Sequence, residues 1–98
     1  MPTYISLLRY TPQGVQKIKE GPARLEAAKK AFKTLGKGEL KQFYLVLGQY
    51  DAVVISEGPD DESAAKVALA IGSQGNVRTE TFRAFTEDEF RKLIAALP

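Results

Sequence analysis

Tyr4, Tyr10, Tyr44, Tyr50, Asp51 and Arg83 are the side chains in this sequence best suited to handle a small molecule. Tyrosines offer flat apolar contact and a hydroxyl, and an arginine can clasp a carboxylate or phosphate through two parallel hydrogen bonds. An aspartate buried beside tyrosines can have its pKa raised toward neutrality and serve as a base. Two of the six stand in the segment Gly48-Gln49-Tyr50-Asp51, between two hydrophobic runs. Here Gly48 can supply a positive φ, and the Asp51 carboxylate can satisfy exposed turn amides. Tyr50 is different: a bulky aromatic at a turn needs a surface to rest on, a neighbouring subunit or a ligand.

Other chemistries are excluded by composition. With no cysteine there is no thiolate nucleophile, disulfide or sulfur-bound metal, and with no histidine the usual neutral-pH base is missing. Serine–histidine triads, histidine-ligated haem and ordinary zinc sites all fall away. No aspartate-rich calcium loop is present either, so no cofactor or metal is expected. The formal charge of +2 hides an asymmetry: residues 1–50 hold nine Lys/Arg against three Asp/Glu, and residues 51–98 hold five against nine. Arg24, Lys29, Lys30, Lys33, Lys37 and Lys41 carry much of the positive half and read as a solvated helix face. No nucleic-acid motif accompanies them, and nucleic acid is not an expected partner. The opening MPTYISLLRY lacks the build of a signal peptide, and no apolar run reaches ~20 residues. A cytoplasmic protein without a membrane partner is the expectation.

The elements that must position these side chains follow from periodicity. Thr3 to Tyr10 reads as a strand, and Thr11-Pro12 opens a helix with the hydroxyl as cap. Gly21-Pro22 interrupts, either kinking one helix or separating two. From about Pro22 to Leu35, Leu25, Ala28, Phe32 and Leu35 recur at helical spacing, and Gly36-Lys37-Gly38 stops the run with a left-handed glycine. Strands are expected at Glu39–Leu47 and Asp51–Glu57, with Gly48-Gln49-Tyr50-Asp51 as the tip of a tight hairpin. A helix at Asp61–Ser73, a strand at Val77–Phe85 and a last helix opening on the Thr86–Glu89 capping box complete the 98 residues.

The order βα-ββ-αβ-α over residues 1–98 predicts one ferredoxin-like α+β domain: a four-stranded antiparallel sheet, helices on one face and a C-terminal helix. Strand alternation separates two sets of side chains. The more aliphatic set, with Ile5, Leu7, Phe43, Leu45 and Phe82, suits packing under the helices. The other set holds Tyr4, Ser6, Tyr10, Tyr44, Thr79, Thr81 and Arg83. It is assigned to the uncovered face, where a second subunit would cover it.

The stretch GQYDAVVISEGPDDESAAKVALAIGSQGNVRTETFRAF, with PTYISLLRYTPQG before it and FTEDEFRKLIAALP after it, resembles the GYD-domain family of small bacterial and archaeal proteins. The glycine-tyrosine-aspartate motif is present as Gly48, Tyr50 and Asp51, with Gln49 inserted. The resemblance implies a ferredoxin-like dimeric α/β-barrel. The same segment is similar to the effector-binding domain of leucine-responsive transcription regulators, in which the corresponding turn helps form amino-acid sites between subunits. This sequence has no DNA-binding helix-turn-helix and an added C-terminal helix. The reading is therefore a homo-oligomer that binds a small metabolite in the cleft between facing sheets. The alternatives are a cofactor-independent enzyme of monooxygenase or isomerase type, and a purely structural assembly unit.

Overall fold

The computed structural model describes all 98 residues, Met1–Pro98. Its strands are β1 (Thr3–Tyr10), β2 (Glu39–Leu45), β3 (Ala52–Glu57) and β4 (Val77–Ala84). Its helices are α1 (Pro12–Gln16), α2 (Gly21–Thr34), α3 (Asp61–Ser73) and α4 (Glu87–Ala95). The strands form one antiparallel sheet in the order β2-β3-β1-β4, the topology expected of a split βαβ repeat. The sheet is open; a single chain closes no barrel.

Local chemistry explains the boundaries. Thr11 caps α1, accepting from the Gly14 amide at 3.1 Å while donating to the Gly75 carbonyl at 2.5 Å. Lys17 and a short 3-10 turn, Ile18–Glu20, then end α1, and Pro22 sits in the first turn of α2. Gly21-Pro22 thus starts a second helix and does not kink one. At the end of α2, Lys37 carries the positive φ, 51°, and the neighbouring glycines do not. Gly38 is needed for a different reason: a Cβ there would collide with the Glu57 carbonyl oxygen, where the chain enters β2 beside β3. Asp60 caps α3 by accepting from the Ser63 amide at 2.8 Å. The Thr86–Glu89 capping box is complete, with reciprocal bonds of 2.9 and 3.2 Å.

Helices α2 and α3 lie over one face of the sheet. That face carries Tyr4, Ser6, Leu8 and Tyr10 of β1, Ala52 and Val54 of β3, and Thr79 and Thr81 of β4. The expected assignment of faces is therefore reversed for β1 and β4. The polar residues tolerate burial because they are paired. Ser6 Oγ meets Thr81 Oγ1 at 2.8 Å, and the Tyr4 hydroxyl, on a residue only 3% exposed, donates to Asp61 Oδ1 at 2.6 Å. In β2, Phe43 and Leu45 do face the helices, together with Leu40. An irregularity between Leu40 and Gln42 lets residues of both parities share that face.

Few side chains are fully buried; Tyr4, Leu40, Ala52, Val54 and Val67 form the hydrophobic core. Helix α4 packs extensively on no other element, and Phe90, Leu93, Ile94 and, just beyond it, Leu97 are at least half exposed. No helix is long and apolar enough to cross a membrane.

Candidate functional site

The six side chains singled out from the sequence fall into three places. At the first, the β2–β3 loop spans residues 46–51, longer than the tight hairpin expected, and is closed by the Val46 amide donating to the Asp51 carbonyl at 3.0 Å. Gly48 takes the expected positive φ, 143°. Asp51 reaches out of the loop to β1: its amide donates to the Leu8 carbonyl at 2.8 Å, and its Oδ2 accepts from the Tyr10 amide at 2.9 Å. The carboxylate therefore serves an amide at the end of a strand, not one within the turn.

Tyr50 rests on Arg9, whose guanidinium carbon lies 4.7 Å from the ring centroid, while Arg9 Nε donates to the Gln49 carbonyl at 3.1 Å. The nearby Glu80 carboxylate, with burial next, raises the Tyr50 hydroxyl above the usual tyrosine value, against the pull of Arg9. Residue 80 pairs with Leu7 and residue 78 with Arg9. A cluster of Arg9, Tyr50, Arg78 and Glu80 thus marks one end of the helix-free face. The middle of that face is apolar, where Ile5 pairs with both Ile55 and Phe82, and Leu7 and Tyr44 with Val53; Gln42 beside Ile55, and Thr3, Glu39 and Glu57 at the far end, are polar. Tyr44 and Phe82 are 51% and 46% exposed.

The second place is the junction of β4 and α4. Arg83 lies 4.4 Å from the Phe85 ring centroid, bonds the Ala84 carbonyl and pairs with Glu89 at 3.4 Å. Hydrogen bonds from Thr86 and from Arg83 hold the Glu89 carboxyl below its usual range. Tyr4, opposite Arg83 in the register, is occupied by Asp61. Burial first, and the bond to Asp61 second, push its hydroxyl up to about 12. A tyrosine so held is a poor proton donor at neutral pH.

The third place is a cavity of about 480 Å³ between α2, α3 and the sheet, with Tyr10 in its wall. Nineteen of its 28 lining residues are hydrophobic and Arg24 alone carries a charge, so the lining is mainly apolar with a single cationic group. Arg24 Nη2 donates to the carbonyls of Gly14 and Lys17 at 3.2 and 2.8 Å, whereas Nη1 is buried with no hydrogen-bond partner. Arg24 thus departs from the solvated basic face to which its charge assigns it. Its position four residues before Ala28, on the apolar stripe, is the sequence signal for its inward turn. Arg9 and Glu80 also escape a reading by residue type; strand parity, of Arg9 with Leu7 and of Glu80 with Phe82, is the available signal.

An open four-stranded sheet in this order, with α2 and α3 on one face, defines a ferredoxin-like α+β protein. Residues 4–94 match the GYD domain, and the chain belongs to that family. A Thermus thermophilus protein named "Glutamine synthetase and cystathionine beta-lyase binding protein" is 34% identical over 85 residues, covering 86% of this chain and 88% of that protein. A crystal structure from the same organism is 30% identical with a TM-score of 0.56, over 88% of this chain and 95% of that one. The Mycobacterium tuberculosis leucine response regulatory protein LrpA shares the fold at a TM-score of 0.63 and 17% identity over 87% of this chain. The present chain spans 51% of LrpA's length.

Proposed function

We propose that this chain is a homodimeric docking module that binds larger protein partners, enzymes among them. The observation that carries the reading is the apolar centre of the helix-free sheet face together with an amphipathic helix, α4, whose apolar side chains its own chain leaves exposed. A face built on Ile5, Val53, Ile55 and Phe82 is self-complementary under a two-fold axis, and a second copy covers it. Helix α4 then remains free to lay Phe90, Leu93, Ile94 and Leu97 into a groove on a different protein. The name of the Thermus relative supports enzymes as that second class of partner.

The test uses the purified chain with glutamine synthetase and cystathionine β-lyase from the same source. Native mass measurement is expected to give a dimer, and Ile55→Asp a monomer; an unchanged mass would remove the sheet face from the interface. Surface capture of either enzyme is expected, with Leu93→Glu abolishing it while the dimer persists. Capture of neither enzyme would sink the docking reading.

A second reading, a small metabolite held between the two facing sheets, is favoured by the Arg9–Tyr50–Glu80 cluster at the rim of that face. Guanidinium and carboxylate beside an aromatic suit a polar, zwitterionic molecule, with Asp51 fixing the loop that carries Tyr50. Tyr44 lies on the same face. Tyr4, Tyr10 and Arg83 are engaged elsewhere in the fold.

A further inference from the structure

The cavity under α2 lies on the opposite side of the sheet from that cluster, and neither reading above uses it. Its floor is Val54 with Ser6 and Ser56, its walls include Leu25, Phe32 and Val67, and its single charge is Arg24 at the start of α2. Arg24 forms no ion pair, and no acidic side chain lines the space. One of its two terminal nitrogens is fixed on backbone carbonyls, which holds the guanidinium in place, while the buried Nη1 has no partner. Arg24 is the one cation of the lining and no carboxylate of the chain meets it there, so an anionic group is the complement of this end of the cavity. Gly21 and Pro22, in the first turn of α2, also line the cavity. That places the positive end of the helix dipole beside the same spot.

We propose that this cavity binds an apolar monocarboxylate of medium chain length, its carboxylate on Arg24 and its tail running along α2. From Arg24 to Phe32 the helix rises about 12 Å, which sets the length of tail the apolar wall can follow. A carboxylate meets the Arg24 guanidinium through a charge-assisted hydrogen bond, and the tail meets Leu25, Ala28, Phe32 and Val67. A larger anion with several charges has no second cation to meet here.

Calorimetry on the full chain at pH 7 with octanoate, 1-octanol and acetate tests the assignment. Octanoate is expected to bind about tenfold or more tightly than octanol, and acetate not measurably. Arg24→Gln is expected to erase the difference between octanoate and octanol, a ratio that modest destabilisation does not move. Ala28→Phe, which occupies the space and leaves Arg24 in place, is expected to abolish octanoate binding with the folded state retained. Equal binding of octanoate and octanol to the parent chain would overturn the role of Arg24. Absence of binding by both would overturn the cavity as a ligand site, and leave the docking surface untouched.

Discussion

Asp51 shows how a motif residue can be explained by its bonds. Its carboxylate and amide fasten the 46–51 loop to the end of β1, across the Tyr10 amide and the Leu8 carbonyl. Removing the carboxylate leaves a half-buried amide without an acceptor, a loss worth about 1–3 kcal/mol. Asp51→Ala is therefore expected to lower the urea midpoint, and Asp51→Asn, which keeps an acceptor oxygen, to lower it less. Equal midpoints for parent and Asp51→Ala would show that the contact contributes nothing. Tyr4 makes the fold sensitive to alkaline pH. Below pH 10 the phenol is protonated in both folded and unfolded chains. Between pH 10 and about 12 the unfolded chain releases the proton that the folded one retains, so unfolding becomes more favourable. Stability is expected to fall through that window, and to fall less steeply in Tyr4→Phe, as measured by chemical denaturation at stepped pH.

At the scale of elements, the caps and helix starts are legible because their chemistry is local. Thr11, Asp60 and Thr86 each bond an amide three residues ahead, and such spacing is visible in the sequence. The facing of β1 and β4 is not legible. Alternation divides a strand into two sets but does not say which set meets the helices. Here hydroxyl pairing and the Tyr4–Asp61 bond put the polar set inside, and those partners lie 75 and 57 residues away. The bulge after Leu40 is hidden for the same reason, since it shows only in the pairing of β2 with β3. Helix α4 is the opposite case, determined almost wholly by its own residues. Thr86→Ala removes half of its capping box, a change worth about 1 kcal/mol to the helix. Circular dichroism is expected to lose helical signal while the thermal midpoint of the chain stays put. A lowered midpoint would mean that α4 supports the core.

Across the whole molecule, the candidate site is legible in part. Tyr50, Asp51 and Gly48 do meet at one loop, and Tyr44 does lie on the helix-free face. Arg83 and Tyr4 instead serve the junctions with α4 and α3. Gathering six residues into one cleft requires the sheet faces to be oriented correctly, and a single reversal disperses them. The charge asymmetry survives as geography. The basic residues of α2 and the acids at the starts of α3 and α4 lie on separate elements, and of these Arg24 and Asp61 turn toward the interior.

The detachment of α4 from the core of its chain bears on how such a protein can change over time. Most substitutions in a small domain risk pushing it below the stability that it needs to persist. Residues on an arm that supports no core escape that penalty. On the proposed docking role, exchanging Phe90, Leu93, Ile94 and Leu97 for other side chains alters which partner is recognised while the β-sheet and its two covering helices remain folded. On that proposal, the exposed side of α4 is free to diversify, and the fold does not have to pay for it.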